Sequence, residues 1–416
     1  MGVKNCMLPW HWMLVTNDGQ VLPCGHGAGV VGDLKNNTVE EIWNGEKMQS
    51  IRRAILADKV HPICKSIECP YQAASAAFGD RVKPVEIPRK LAKVFDRFDE
   101  EYYLALYPEV KEAVERGKFT SGLEHFIRHG RGEGRPMRLL NNPDPNKSDK
   151  RKKNASLALL EYSRGAKKLK SMPVDIVIAV TTVCNLRCVM CPHGLGIVEK
   201  PRNMPLTVID SISRALNYVS RIILSGVGEP TISPAFWKVL DHFSAPTPVF
   251  IRVNTNAQAM TAEKARKIVQ SSLTEISISL DAASAETYSR IRGGDFRRAL
   301  AGVEMLVQAA REHATRKIEI SINLTMMLEN LSEMTDFVRM GKELGVDRVV
   351  FSQLFSFGDQ PSWKVKRGDY EFVYSENMPI RHPNEAKAAL MSAQSVADQL
   401  NVPIRMIDNV ESYLTT

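Results

Sequence analysis

Three cysteines stand in one short run, Cys184-Asn185-Leu186-Arg187-Cys188-Val189-Met190-Cys191, followed by Pro192. The C-x3-C-x2-C spacing puts three thiols on a single loop. Thiolates are the usual ligands of iron–sulfur clusters, and three of them leave one iron of a four-iron cluster open to a small molecule. A structural zinc site is the other reading, but zinc favours four closed ligands and paired C-x2-C knuckles, which this loop lacks. The run follows Val174-Asp175-Ile176-Val177-Ile178-Ala179-Val180. That β-branched stretch predicts a buried strand, and its carboxyl end is where α/β folds place active sites.

The elements that must hold this loop are legible in the hydrophobic periodicity. Candidate strands are residues 175–180, 221–225, 249–254, 275–280, 317–324 and 347–352. Helical patterns fall between or after them at 206–218, 234–243, 261–270, 296–312 and 331–344, with apolar residues three and four apart, as in Ala299, Leu300, Val303, Leu306 and Val307. Alternating βα units predict an α/β protein built on a partial (β/α)6 TIM-like barrel.

The loop and this order of elements resemble the radical S-adenosylmethionine (radical SAM) superfamily over about residues 171–360. The resemblance implies a [4Fe-4S] cluster on Cys184, Cys188 and Cys191, with SAM on the remaining iron. It further implies reductive cleavage of SAM to methionine and a 5'-deoxyadenosyl radical that abstracts a substrate hydrogen atom. A small electron donor such as flavodoxin or ferredoxin would supply the electron. Ser225-Gly226-Val227-Gly228-Glu229-Pro230 resembles the family's Gly-Gly-Glu-Pro motif, with Val227 inserted. There Gly226 and Gly228 would let backbone approach SAM, and Glu229 would accept from its ammonium group. Asn256, in Asn254-Thr255-Asn256-Ala257, and Ser279 and Asp281, in a segment resembling Ser-x-Asp-Gly with Ala282 for glycine, would meet the ribose. Arg292, favoured over Arg290, resembles the arginine that meets the SAM carboxylate. Asn323 is a further strand-end candidate, and His193 and Tyr288 neighbour the site in sequence without an assigned role. No catalytic residue is assigned beyond the cluster ligands.

The other four cysteines, Cys6, Cys24, Cys64 and Cys69, fall near the amino terminus. Trp12 to Leu22 reads as two strands joined by an Asp18-Gly19 turn, and Thr38 to Glu41 as a capping box opening a helix. Cys6-Met7-Leu8-Pro9-Trp10, Asp18 to Cys24, Glu41-Ile42-Trp43-Asn44-Gly45 and Pro62-Ile63-Cys64 resemble the SPASM module, which holds auxiliary iron–sulfur clusters. The resemblance implies one auxiliary [4Fe-4S] cluster on the four thiols, although zinc would be satisfied by the same set. His11, His26 and His61 read as ordinary polar residues of a small domain. SPASM-like modules normally follow the barrel, whereas this one precedes it, and Val402 to Asp408 resembles the strand that would lead into it. The layout reads as a permutation or, with Met1 only five residues before Cys6, as a chain that has lost an earlier barrel. The module would fold back on its own barrel or dock head-to-tail on a neighbouring chain, with Lys147 to Lys153 as tether.

The expected divisions are a SPASM-like module at 1–80, a helical module at 88–140, a basic linker and lead-in helix at 141–170, the radical SAM core at 171–360 and a carboxyl-terminal extension at 361–416. The stretch 88–140 resembles a short module found beside bacterial glycosyltransferases. Its His125 and His129 read as a packed or solvated pair.

Composition narrows the class. With 416 residues, 44% hydrophobic and 25% charged, the chain can bury the cores of two or three domains. No apolar run reaches membrane-spanning length, and no signal-peptide core is present, so the expectation is a cytoplasmic oxidoreductase with no membrane or nucleic-acid partner. The seven cysteines fall in two groups, which suits clusters in a reducing compartment better than disulfides. The SPASM resemblance points to a peptide or protein substrate and a maturase-type modification. A carbohydrate or aminoglycoside-type oxidation is second, and a non-catalytic iron–sulfur or zinc-binding partner subunit is the reading from another class.

Overall fold

The computed structural model describes residues 6–25, 29–64, 98–137, 150–243, 249–314, 317–354, 362–407, 410 and 412–415. It forms two compact units, residues 1–178 with 204–223 and 248–250, and residues 179–203 with 224–247 and 251–416. Among the described residues no helix is long and apolar enough to cross a membrane.

In the first unit, β1 (Trp12–Val15) and β2 (Gln20–Leu22) form the expected antiparallel hairpin, with Leu14 opposite Leu22. Gly19 takes φ +88° in the turn, a conformation that suits glycine. β3 (Gly32–Asp33) extends the hairpin, and Thr38 with Glu41 forms the expected capping box. β1 also pairs in parallel with β4 (Asp175–Ile178), from Trp12 opposite Asp175 to Val15 opposite Ile178. The amino-terminal module thus extends the sheet at the first barrel strand of its own chain. β5 (Arg221–Leu224) follows β4 in the strand order.

Hydrogen bonds from the module to the segment leading into β4 fix this pairing. Trp10 Nε1 donates to Ala166 O at 2.7 Å and Trp43 Nε1 to Ser171 O at 3.0 Å. Asn44 and Leu169 bond both ways, Nδ2 to O at 2.9 Å and N to Oδ1 at 2.7 Å. The Arg52 guanidinium, stacked 4.9 Å from the Trp43 ring, donates to Pro9 O and Lys167 O. Of the expected tether, Lys150 to Lys153 instead start helix Lys150–Ser163, while 147–149 lie outside the described residues.

The helical stretch is seen over 98–137; residues 88–97 lie outside the described residues. Helices Glu100–Leu106, Pro108–Glu115 and Gly122–His125 run into a wider turn, Phe126–Gly130, around Phe98, Tyr103, Val110, Leu123 and Phe126. His125 and His129 are a packed pair with rings 5.5 Å apart, and His125 Nδ1 bonds Tyr103 Oη at 3.1 Å.

In the second unit β6 (Phe250–Thr255), β7 (Glu275–Ser279), β8 (Glu319–Met326) and β9 (Arg348–Gln353) lie side by side in parallel. Each falls within about two residues of its expected span, because each is a β-branched run closed by short polar residues. β10 (Lys364–Arg367) and β11 (Tyr370–Val373) form a separate antiparallel hairpin. β12 (Ile404–Met406) pairs in parallel with β9, so the segment expected to be a strand is one.

The two faces of this sheet differ. Val253, Ile276, Ile320, Ile322 and Val349 share the face that meets helices such as Ala262–Gln270 and Met334–Leu344. The alternate residues are polar. Arg252, Glu275, Glu319 and Arg348 form a charged layer at the amino ends of the strands, where Arg252 and Arg405 both pair with Glu275. In the next row Asn254, Ser277 and Ser321 are in register with Arg348, and beyond it Ser279 and Asn323 form an uncharged row with Val350. Charge closes the floor, and neutral hydrogen-bonding groups line the end where loops carry chemistry.

Candidate active site

The cysteine loop is built on a short bridge. Thr181 pairs with Asn203, its Oγ1 donating to Asn203 Oδ1 at 2.7 Å, and Thr182 N donates to Arg202 O at 2.9 Å. This side-chain pairing takes the chain out of the sheet after Ile178, two residues before the expected strand end. Within the loop Cys191 N donates to Cys188 O at 3.1 Å and Gly194 N to Cys191 O at 2.8 Å, which turns the chain tightly. A Cβ at Gly194 would stand 2.2 Å from Cys188 O, so the turn requires glycine.

Gly226 and Gly228 press against the entry to this loop. A Cβ at Gly228 would meet the carbonyls of Thr181 and Val183, both at 2.6 Å, and one at Gly226 would meet Ala179 Cβ at 2.9 Å. Glu229 N donates to Val183 O at 2.8 Å. The glycines therefore permit close backbone approach, and in this structure what they approach is the chain leading into Cys184.

Glu229 is buried, and its carboxylate is fully engaged. Oε1 accepts from Thr231 N, Thr231 Oγ1 and Thr255 Oγ1, and Oε2 accepts from Asn256 N at 2.7 Å. A buried carboxylate must have its lone pairs satisfied, and here that need ties the loop after β5 to the end of β6. Asn256 in turn donates through Nδ2 to Asn185 Oδ1 at 2.8 Å and lies 3.9 Å from Cys184 Sγ. Ser279 ends β7 in register with Asn323.

Asp281, at φ +61°, accepts from Thr325 N at 2.7 Å through Oδ1 and from Arg292 Nη1 at 2.9 Å through Oδ2. Both oxygens expected to face a ribose thus have protein donors. Arg292 closes helix Ala285–Arg292, and its buried Nε has no partner among the described residues. The last turn of that helix meets the cysteine loop directly, with Val189 N donating to Ile291 O at 2.9 Å. Arg290, the arginine not favoured, lies on the outside and pairs with Glu286.

Burial raises the proton affinity of all three thiols above the ordinary cysteine value. In Cys191 burial and the neighbouring Cys188 thiol push it to about 11. One buried and two partly buried thiols whose charges would repel, with the Arg292 cation near them, suit a positively charged inorganic centre that would stabilise the thiolates together. His193 is buried, and its Nε2 has no partner among the described residues.

Sequence reasoning left residues 361–416 without a role. The β10–β11 hairpin supplies Val365 and Phe372 to an apolar cluster with Val189 and Ile291, onto which Met190 also packs. It packs on the loop at Val189 and Met190, and Val189 is fully buried there. Its apolar alternation is visible in the sequence, but nothing local shows what it covers.

In the amino-terminal module Cys24 is buried and Cys6 and Cys64 are partly buried; Cys69 and His26 lie outside the described residues. His61 is held by Ser50 Oγ at 3.1 Å and Ile63 N at 3.2 Å, and His11 faces Asp175, so both have protein partners. Among the described residues no three Cys, His, Asp or Glu side chains form a ready single-ion site.

Residues 178–341 match the radical SAM superfamily, and residues 6–70 match the SPASM iron–sulfur cluster-binding domain. The chain carries a radical SAM domain. Ahead of it, residues 6–70 carry the SPASM match. The radical SAM domain takes a [4Fe-4S] cluster and SAM as cofactors, and the SPASM domain is a site for auxiliary iron–sulfur chemistry. The mycofactocin maturase MftC of Mycolicibacterium smegmatis is 28% identical over 218 residues, 47% of this chain and 53% of that protein. The AdoMet-dependent heme synthase of Methanosarcina barkeri is 31% identical over 214 residues, 49% of this chain and 58% of that protein. The chain thus spans little more than half the length of these relatives. Streptococcus suis SuiB bound to the precursor peptide SuiA superposes with a TM-score of 0.48 at 14% identity, covering 78% of this chain and 67% of that one.

Proposed function

We propose that this chain is a radical SAM oxidoreductase of the maturase type, acting on a peptide or protein. Cys184, Cys188 and Cys191 would hold the cluster, which with SAM on its open iron would supply reductive cleavage of SAM and so a radical able to take a hydrogen atom from the substrate. The observation that carries the reading is the clamp on the cysteine loop. Asn256 beside Cys184, Ile291 O on Val189 N and the glycines at the loop entry all hold the loop of three cysteines, Cys188 buried and Cys184 and Cys191 partly so, at the carboxyl ends of the strands.

Within this reading Gly226, Gly228 and Glu229 shape the loop, Asn256 stands between loop and strand end, and Ser279 faces the ligand. Arg292, aimed by Asp281, offers its unpartnered Nε side to the SAM carboxylate. Cys6, Cys24, Cys64 and Cys69 hold the auxiliary cluster. The divisions at 1–80, 88–140, 141–170, 171–360 and 361–416 are the working domains, a small flavodoxin- or ferredoxin-like protein donates the electron, and the setting is cytoplasmic. Pairing of β1 with β4 of the same chain supports folding back over head-to-tail self-association, since the edge a neighbour would use is taken.

The maturase relative favours a peptide over a sugar. The carbohydrate reading rests on residues 88–140, and no described feature of 98–137 adds to it. Reconstituted protein with SAM and dithionite is incubated with deuterated peptides or deuterated aminoglycosides. Deuterium appearing in 5'-deoxyadenosine from the peptides alone supports the reading, and transfer from the sugars alone overturns it.

A further inference from the structure

The group that finishes helix Ala285–Arg292 comes from the β10–β11 hairpin. Arg367 Nη1 donates to Ser289 O at 3.2 Å and to Arg290 O at 2.6 Å. The next carbonyl, that of Ile291, accepts from Val189 of the cysteine loop. Gly293 then turns out of the helix at φ +70°, and a Cβ there would stand 2.9 Å from both terminal nitrogens of Arg367. A helix ends in carbonyls that lack intrahelical donors and carry negative partial charge, so a guanidinium is a fitting cap. Arg367 Nη2 is buried without a partner among the described residues, which marks a side chain placed for position and charge as well as hydrogen bonding. Val365 and Phe372 anchor the same hairpin to Val189 and Ile291.

This arrangement brings the Arg367 guanidinium to the same helix end that Arg292 closes. Arg290 O, which accepts from Arg367, precedes the Ile291 carbonyl that accepts from Val189, the residue next to Cys188. We propose that Arg367 is a positioning residue for the cluster on Cys184, Cys188 and Cys191: it locks the helix end to the cysteine loop and adds a second fixed positive charge beside Arg292. The inference rests on the function proposed above. Positive charge near a redox centre favours its reduced state, so Arg367 would ease entry of the electron.

The test is an EPR-monitored redox titration of the reconstituted full chain, following the signal that changes on adding SAM, together with hydrogen exchange over residues 285–294. Arg367→Gln should make that cluster harder to reduce by up to tenfold in the equilibrium constant, about 59 mV for one electron. Arg367→Lys, which keeps the charge and loses the fork, should stay near the wild-type potential. Both variants should exchange faster at the helix end. An unmoved potential in a fully loaded Arg367→Gln protein overturns the proposal, as does an equal shift in both variants. If Arg367→Gln fails to load iron, Arg367→Lys decides. Full loading, wild-type potential and faster exchange support the strap, and unchanged exchange overturns it. A wild-type chain with no SAM-responsive signal refutes the functional reading instead.

Discussion

Arg292 Nη1 and Asp281 Oδ2 meet at 2.9 Å in a buried ion pair, with Asp281 held at φ +61° by its place at the end of β7. The pair explains how one long side chain can be aimed without a ligand. Burial opposes the Arg292 cation, but Cys188 and Asp281 outweigh that and hold it firmly charged. Asp281→Asn keeps a side chain that tolerates positive φ while removing the counter-charge. It should cost about 3 kcal/mol in denaturant unfolding and weaken SAM binding by calorimetry at least tenfold. Unchanged SAM affinity would detach Arg292 from the SAM site.

Gly228 and Gly226 separate by what a methyl group would strike. At Gly228 it meets two backbone carbonyls, which cannot yield, one of them belonging to the residue before Cys184. At Gly226 the closest atoms are Ala179 Cβ at 2.9 Å and Cα at 3.2 Å, a milder clash. Gly228→Ala should lower iron loading severalfold, and Gly226→Ala should lower it less. Equal loading in both variants would contradict the clamp.

Glu229→Gln preserves shape but replaces one acceptor oxygen with a donor, facing either Asn256 N or the Thr231 and Thr255 donors. Leaving such groups unsatisfied should cost about 1–3 kcal/mol, read as a lower denaturation midpoint, with slower recovery of the iron–sulfur absorbance on reconstitution. A neutral outcome would mean that another group supports the β5–β6 junction.

Asp175 gives the first unit its acid sensitivity. Burial would raise its carboxyl, but Arg221 and His11 outweigh burial and bring it from 3.8 to about 2. A depressed carboxyl stabilises the fold fully above its unfolded value and loses that contribution as pH falls toward its folded value. Urea unfolding of wild-type protein should therefore lose stability between about pH 4 and pH 2, and Asp175→Asn should flatten that slope. At neutral pH the variant should be about 3 kcal/mol less stable, because Arg221 is left buried without its partner. Parallel curves would place the acid sensitivity elsewhere.

Much of the barrel is visible in the sequence because its strands are β-branched runs and its site loops follow them directly. Ser279 at the end of β7 and Arg292 at the end of the following helix are placed in the fold that way. Their partners are not, since nothing in Asp281 or Arg292 alone says that they pair, and Thr325 N is supplied by the next strand. Nor does the sequence show that the oxygens of Glu229 and Asp281 accept from donors on other segments, Thr255 and Asn256 for one and Thr325 and Arg292 for the other. Arg367 lies far along the chain in a hairpin whose local pattern shows its pairing but not what it covers. The turn at Asp18-Gly19 and the capping box at Thr38 are local and therefore legible. The parallel pairing of Trp12–Val15 with Asp175–Ile178 joins distant segments, and the sequence left it open between folding back and docking on a neighbour.

The most direct measurement is anaerobic reconstitution with iron and sulfide, followed by SAM and dithionite, with 5'-deoxyadenosine and iron quantified on the same sample. The account predicts about eight irons per chain and 5'-deoxyadenosine that disappears in Cys188→Ala, leaving about four irons on the amino-terminal thiols. A fully loaded protein that yields no 5'-deoxyadenosine, or a Cys188→Ala variant that yields as much as wild type, would contradict it.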